Sequence, residues 1–262
     1  MPLIDIGVNL TNSRLYHDRE LHKQQALSAG VIHQIITGTS YEASLKAVSI
    51  CDEDPDYYSA TAGCHPHDAK DFTTEHLEGI RDLSRHDCVV AIGECGLDFN
   101  RNFSPPEIQC EVFEQQISLA LDTGLPLFLH QRDAHEQFMA YLKPHASQLD
   151  GVCHCFTEGK DEMRDYLDLG FYIGITGWLC DERRGQELQE ALRYLPLDRL
   201  LFETDAPYLL PRTIRPRPKS NMNSAANLPW VLKTAEEITG VSAEELAEIS
   251  TQNCHTLFTL DR

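Results

Sequence analysis

Eight short apolar runs, each bounded by turn residues and most of them followed by an amphipathic stretch, constrain this chain more than any other feature. They cover residues 3–8, 34–37, 58–64, 88–94, 126–130, 151–154, 171–175 and 199–203. Runs of this length rich in β-type residues read as strands buried on both faces, and strands that alternate with helices build a parallel sheet. Eight units of about 33 residues in a chain of 262 fit a closed (β/α)8 TIM barrel. A doubly wound open sheet would carry a glycine-rich phosphate loop after its first strand, and Gly7-Val8-Asn9-Leu10-Thr11 has none. The expectation is an α/β chain forming one barrel domain over residues 1–262.

The intervening stretches carry helix signals. Residues 107–121 place Ile108, Val112, Ile117 and Leu121 at roughly helical spacing, with Pro105-Pro106 opening the helix and Asp122-Thr123-Gly124 closing it. Residues 181–195 predict another helix, closed by Pro196. The longest irregular segment is 206–227, after the eighth strand. Loops of that length in compact domains are functional or disordered, and this one starts at the expected barrel mouth. Helices over 229–239 and 242–251 should pack outside the barrel, the second opened by Ser242-Ala243-Glu244-Glu245 as a capping box.

Four apolar runs lead directly into residues of metal-ligand type: Glu94, His130, His154 and Asp205. The C-terminal ends of barrel strands are where this fold keeps its chemistry. Each residue alone has a plain structural alternative: a Glu paired with an Arg, a satisfied core histidine, an Asp capping the turn before Pro207. Together they point to a metal-dependent hydrolase, with Glu94, His130, His154 and Asp205 as candidate ligands and Asp205 also as the base that takes a proton from an attacking water. Glu203 sits where it can orient a ligand histidine. His65-Pro66-His67-Asp68 follows the third strand, so His65 and His67 are candidates for contacting substrate or developing charge. Arg132 can clamp a phosphate or pair with Asp133, and Asp133 can cap the next helix. Cys153-His154-Cys155 resembles a zinc motif, but alternate residues on a strand face opposite ways and no second cysteine pair has the matching spacing.

The formal net charge of −19 argues against salt-driven binding of long nucleic acid over a broad surface. It leaves room for a small site where metal and a few cations meet phosphate. The stretch from Arg212 to Lys219 has four cations and no acid, and is either such a patch or a solvated, proline-stiffened loop. Nine scattered cysteines read as reduced thiols and hence a cytoplasmic protein. No apolar run approaches the ~20 residues that span a bilayer, and the start of the chain lacks a secretory signal pattern. A monomer without a membrane partner is expected.

The motifs Gly63-Cys64-His65-Pro66-His67, Ala91-Ile92-Gly93-Glu94-Cys95-Gly96-Leu97-Asp98-Phe99, His130-Gln131-Arg132-Asp133-Ala134, His154-Cys155-Phe156 and Glu203-Thr204-Asp205-Ala206-Pro207-Tyr208, in this order, resemble the TatD family of metal-dependent nucleases. The resemblance covers nearly the whole chain. It implies an amidohydrolase-like TIM barrel and a divalent-metal-dependent 3′→5′ exonuclease on single-stranded DNA and RNA ends, linked to DNA repair. It also implies Glu94, His130 and His154 as ligands, Asp205 as ligand or base, and His65 on the phosphate. Two departures stand out. Most of the family begins with Asp-x-His-x-His, whereas this chain has Gly7 and Asn9 at the two histidine positions, so one metal site should be weak, absent or completed by substrate and water. That favours Mg2+, with Mn2+ or Zn2+ as alternatives. In the long loop the family's Arg-Asn-Glu-Pro and following His are reduced to Asn223 alone. Two other functions stay open on the residues themselves: a hydrolase of a small ester, lactone or amide, and a non-catalytic metal- or nucleotide-binding protein.

Overall fold

The structure is a computed structural model that describes residues 2–260; Met1, Asp261 and Arg262, at the limits of the expected domain, lie outside the described residues. Its strands are β1 (Leu3–Val8), β2 (Val31–Ile36), β3 (Tyr58–Ala62), β4 (Val89–Asp98), β5 (Leu127–Arg132), β6 (Gly151–Cys153), β7 (Tyr172–Ile175) and β8 (Leu200–Phe202). They form one parallel sheet in chain order. The ends of that sheet meet: Asp205 N–H donates to the Gly7 carbonyl at 2.9 Å, Asn9 N–H donates to the Ala206 carbonyl at 2.8 Å, and Val8 bridges Ala206 in parallel. Every sheet edge is thereby paired, as a closed barrel requires. The expected (β/α)8 architecture is the observed one.

The helices are α1 (Ser13–Tyr16), α2 (Arg19–Ser28), α3 (Tyr41–Glu53), α4 (Thr74–Leu83), α5 (Pro106–Thr123), α6 (His135–Leu142), α7 (Lys160–Asp168), α8 (Gln186–Leu192), α9 (Leu228–Thr239) and α10 (Ala243–Phe258). Side chains on the two sheet faces separate into different clusters. Ile4, Ile6, Ile35, Val90, Phe128, Val152 and Leu201 come from six strands around the ring yet form one cluster, so they fill the barrel. Leu3, Ile92, Leu127, Leu129, Ile173 and Leu200 pack against helix residues such as Phe113, Phe138, Tyr166, Leu188 and Leu232. This two-layer burial is why the strands read as continuous apolar runs.

Several local expectations are corrected. The fourth strand does not end at Glu94 but continues to Asp98. Gly93 and Gly96, which look like turn residues, have φ of +139° and +144° inside that strand. A Cβ at Gly96 would run into the His130 carbonyl, so glycine there lets β4 approach β5. The helix expected over 181–195 is confined to α8, because Asp181 instead closes a short 3-10 turn and holds Arg183 and Arg184. Asp133, with φ of +53°, accepts from Asn100 Nδ2 at 2.6 Å rather than capping α6, whose first residues have no side-chain cap. Arg132 forms no pair with it: among the described residues that guanidinium has no partner. The last helix is longer than expected. Only the serine half of its capping box forms, Ser242 Oγ accepting from Glu245 N–H at 3.2 Å.

Asp5 of β1 is fully buried. Its carboxylate accepts from the N–H groups of Gly7 and Thr204 and from Thr204 Oγ1, which ties β1 to the chain after β8. Burial outweighs these bonds and pushes its pKa up to about 7. Between the ordinary carboxylate pKa and that value the folded state holds a proton that the unfolded state has lost. Stability from this group is therefore full at acid pH and is lost as pH rises through about 7, at up to about 1.4 kcal/mol per pH unit. Asp5→Asn should gain on the native protein steadily as the pH rises from 4 to 7. Urea unfolding followed by circular dichroism across that range checks this, and a pH-independent difference between the two proteins contradicts it.

Candidate metal centre

Glu94 is aimed by a break in strand register. Gly93 pairs with Phe128 and Cys95 with Leu129, so Glu94 is the residue left over between β4 and β5. Its N–H instead meets the Gly38 carbonyl at 2.8 Å. An extra residue of this kind re-aims a side chain, and here the buried carboxylate receives imidazoles from three other elements. Glu94 Oε1 lies 3.0 Å from His130 Nδ1, 3.3 Å from His154 Nε2 and 3.3 Å from His65 Nε2. Burial opposes ionisation of Glu94, but these imidazoles hold its carboxyl well below the usual range.

His154 stands one residue past β6, fixed by its N–H to the Leu129 carbonyl and by Phe128, whose ring stacks on it at 4.7 Å. Its Nδ1 meets Glu203 Oε2 at 2.7 Å, and Glu203 Oε1 accepts from Cys155 N–H at 2.5 Å. A carboxylate at Nδ1 keeps the proton there and turns the Nε2 lone pair towards Glu94. Glu203 is fully buried in space left by two glycines: a Cβ on Gly7 or on Gly174 would strike its carboxylate. Burial would lower the His154 pKa, yet Glu203 and Glu94 raise it well above the usual value. The same opposition, with Asp98 and Glu94 as the anions, raises His130.

His65 differs from the other two. It opens the 3-10 turn Pro66–Asp71, and its Nδ1 accepts from His67 N–H at 3.0 Å. A neutral imidazole that accepts at Nδ1 carries its proton at Nε2, so His65 presents a donor to the cleft rather than a lone pair. His65, Glu94 and His130 place ligand-type atoms within 4.8 Å of one another, but this tautomer makes His65 a hydrogen-bond donor to an anion. His67 Nε2 binds Asp98 Oδ2 at 2.6 Å, and Asp98 also faces His130 Nε2 at 3.6 Å. Burial would raise the Asp98 pKa, but His130 and His67 pull it far below the usual range. A fourth strand that ends at residue 94 in the sequence leaves out Asp98, which β4 in fact carries.

Asp205 lies three residues beyond β8 with φ of +52°. Its Oδ1 accepts from Asn9 Nδ2 at 2.8 Å. Burial, with Glu94 and Glu203 adding to it against His154 and Asn9, pushes its pKa up to about 7. Glu94, His130, His154 and Asp205 all line one open cleft of about 1290 Å3 at the C-terminal ends of the strands, together with His65, His67 and Arg132. A metal fits the donor set. His154 Nε2 and Glu94 Oε1 are two lone-pair atoms facing each other at 3.3 Å, a contact that needs a proton or a cation. Separations of 3.0 and 3.3 Å are those of neighbouring ligands around an ion with bonds of about 2.1 Å. His130 Nε2 is buried without a hydrogen bond. Cys153 and Cys155 are free thiols outside this set, and burial pushes both pKa values upward.

The profile of the family described as TatD related DNase matches residues 4–259. The chain belongs to the TatD family. Among its relatives, the 3′-5′ ssDNA/RNA exonuclease TatD of Erwinia tasmaniensis is 48% identical over 259 residues, covering 98% of this chain and 100% of that one. The protein of the same name from Pectobacterium carotovorum is 47% identical with the same coverage. The crystal structure of a TatD homologue from Escherichia coli superposes with a TM-score of 0.89 at 28% identity, over 98% of both chains.

Where most TatD-family chains are expected to carry two histidines on β1, the structure shows different occupants. The Glu203 carboxylate lies where a side chain at position 7 would begin, and the Asn9 amide holds Asp205. Asn223, all that remains of the family's loop motif, does anchor the long loop: buried, it donates from Nδ2 to the Thr204 carbonyl at 3.1 Å, and its N–H reaches the Pro207 carbonyl. The basic stretch after Pro211 does not line the cleft. Arg212 pairs with Glu182 and Arg215 donates to backbone carbonyls. The cations that line the cleft are Lys70, Arg101, Arg132 and Arg184.

Proposed function

We propose that this TatD-family chain is a metal-dependent 3′→5′ exonuclease that hydrolyses phosphodiester bonds at the 3′ ends of single-stranded DNA and RNA. The observation that carries it is that His130 Nδ1 and His154 Nε2 both meet Glu94 Oε1, at 3.0 and 3.3 Å, in a cleft that also holds a carboxylate of raised pKa, Asp205. Glu94, His130 and His154 are the residues to hold a divalent metal, with Asp205 beside them. When bound, the ion supplies a Lewis acid that polarises a phosphoryl oxygen and acidifies water. Asp205 is positioned by Asn9 at Oδ1, which leaves Oδ2 to accept the proton of the attacking water. His65 donates from Nε2 to a phosphate oxygen, His67 and Asp98 fix the edge of that subsite, and Arg132, without a partner among the described residues, neutralises the phosphate backbone.

Single strands suit this cleft better than duplex. Phe103 and Tyr208 are 55% and 47% exposed at its rim and offer faces for base stacking. Mg2+ completed by substrate and water oxygens is the activating ion, and the imidazole donors make Mn2+ the tighter binder and Zn2+ an alternative. The nine free thiols favour a reducing, cytoplasmic setting, where the chain acts as a monomer, with DNA repair as its physiological role. Among the described residues no helix is long and apolar enough to cross a membrane.

The test is a 5′-labelled single strand, DNA or RNA, incubated with chelator-stripped protein and with Mg2+, Mn2+ or Zn2+ restored. A ladder that shortens from the 3′ end only when metal is present is expected. No shortening with any ion, or faster turnover of a panel of small esters, lactones and amides than of oligonucleotides, overturns the assignment.

A further inference from the structure

After β7 the chain runs Gly177-Trp178-Leu179-Cys180-Asp181-Glu182-Arg183-Arg184-Gly185, a segment that supplies no candidate ligand to the metal centre. Thr176 Oγ1 accepts from Trp178 N–H at 3.2 Å and opens a 3-10 turn over Gly177–Cys180. A Cβ at Gly177 would strike the Leu209 carbonyl, so glycine there lets the long loop lie against this turn. The buried Asp181 carboxylate accepts from Arg183 Nε and Nη2 and from Arg184 Nε, all at 3.0–3.1 Å. The Arg184 guanidinium, tied at Nε, lies over the Trp178 ring, 4.2 Å from its centroid. Among the described residues no other side-chain hydrogen bond or ion pair engages that guanidinium.

Trp178 and Arg184 line the cleft together with Tyr208 and Leu209. Trp178 Nε1 is buried and makes no hydrogen bond among the described residues, so the indole offers the cleft ring surface and not a donor. The strands lie in chain order around a closed ring of eight, so β7 and β8 stand opposite β3 and β4. Trp178 and Tyr208 are therefore across the metal centre from His65, His67 and Phe103.

We propose that Trp178, with Arg184 stacked on it, is a sequence-tolerant subsite for the base of a nucleotide upstream of the scissile bond in a single strand. The proposal rests on the nuclease reading above: with the scissile phosphate at His65, the strand leaves the centre over the opposite rim. Every base has a face that packs on an indole or a guanidinium, so such a subsite grips a strand without reading it. Arg183, Arg184 and Arg212 are matched by Asp181, Glu182 and Glu187, so the platform carries no excess charge and holds bases rather than phosphates. In a duplex the bases are stacked on one another and have no free face to offer it.

The chain has two tryptophans, Trp178 and Trp230, so Trp230→Phe leaves Trp178 as the sole indole. The probe is a short oligothymidylate in Mg2+, its 3′-terminal linkages phosphorothioates so that it is bound and not cut. It should quench Trp178 fluorescence, and the same length of duplex should not. An abasic residue at the 3′ terminus should spare the quench, whereas one placed upstream should remove it. Anisotropy of a 5′-dye-labelled strand measures affinity separately. Trp178→Ala should weaken binding about tenfold, with most of the affinity kept in Trp178→Phe. Arg184→Ala, at a side chain 56% exposed, should weaken it about two- to fivefold and decides the case where Trp178→Ala fails to fold. Binding that leaves Trp178 unquenched, native affinity in these alanine variants, or a quench lost only with the terminal base overturns this proposal and leaves the nuclease reading standing. A strand that does not bind at all overturns both.

Discussion

Glu94→Gln should lower phosphodiester hydrolysis by about a thousandfold or more, about 4 kcal/mol of barrel-site transition-state stabilisation, while leaving the circular dichroism spectrum unchanged. The amide has the shape of the carboxylate, so the bulge that aims it at the imidazoles remains. What disappears is the negative charge that His130, His154 and His65 surround at 3.0–3.3 Å. A glutamine would also present either a weaker oxygen or an NH2 to a nitrogen lone pair. Metal affinity should fall together with the rate, and calorimetric titration with Mn2+ measures it directly. A variant that keeps native affinity and loses only rate assigns Glu94 to the chemistry and not to metal binding; one that keeps both removes it from the centre.

Glu203→Ala should cost about 3–5 kcal/mol of stability, because breaking a buried ion pair strands its partner. The thermal midpoint should fall by about 10 °C for a chain of this size. His154 Nδ1 and Cys155 N–H would both lose their acceptor, and a void would open between Gly7 and Gly174. Glu203→Gln separates structure from chemistry. It keeps the volume and one oxygen for Cys155, so the fold should survive. Its amide nitrogen would face His154 Nδ1 and drive the imidazole proton to Nε2, where it blocks the lone pair directed at Glu94. Metal affinity should then drop about 10–100-fold. Native affinity in this variant would show that Glu203 is a packing residue and nothing more.

The barrel was legible because two-sided burial leaves a direct trace: uninterrupted apolar runs at regular intervals. The same trace misplaced the end of β4, since Gly93 and Gly96 look like turn formers and only the approach of β5 explains them. Helix content after β7 was overcalled because Asp181 bonds Arg183 and Arg184 in a turn instead of starting a helix. In the centre, residue identities pointed to Glu94, His130, His154 and Asp205, and the cleft brings all four together. Asp98 and Asn9 were hidden, because their importance lies in which side chain each meets across the barrel.

By itself, the sequence determined the family, the barrel and the chemical types at the strand ends, since these depend on local pattern and on motifs read in order. Only the tertiary structure decided the roles within the set. His65 became a donor because a backbone N–H occupies its Nδ1, His154 turns its Nε2 to Glu94 because Glu203 holds its Nδ1, and Gly7 gave its place to that same carboxylate. Proton positions and the occupancy of space are settled by contacts between residues as many as 199 positions apart, and no local pattern records them.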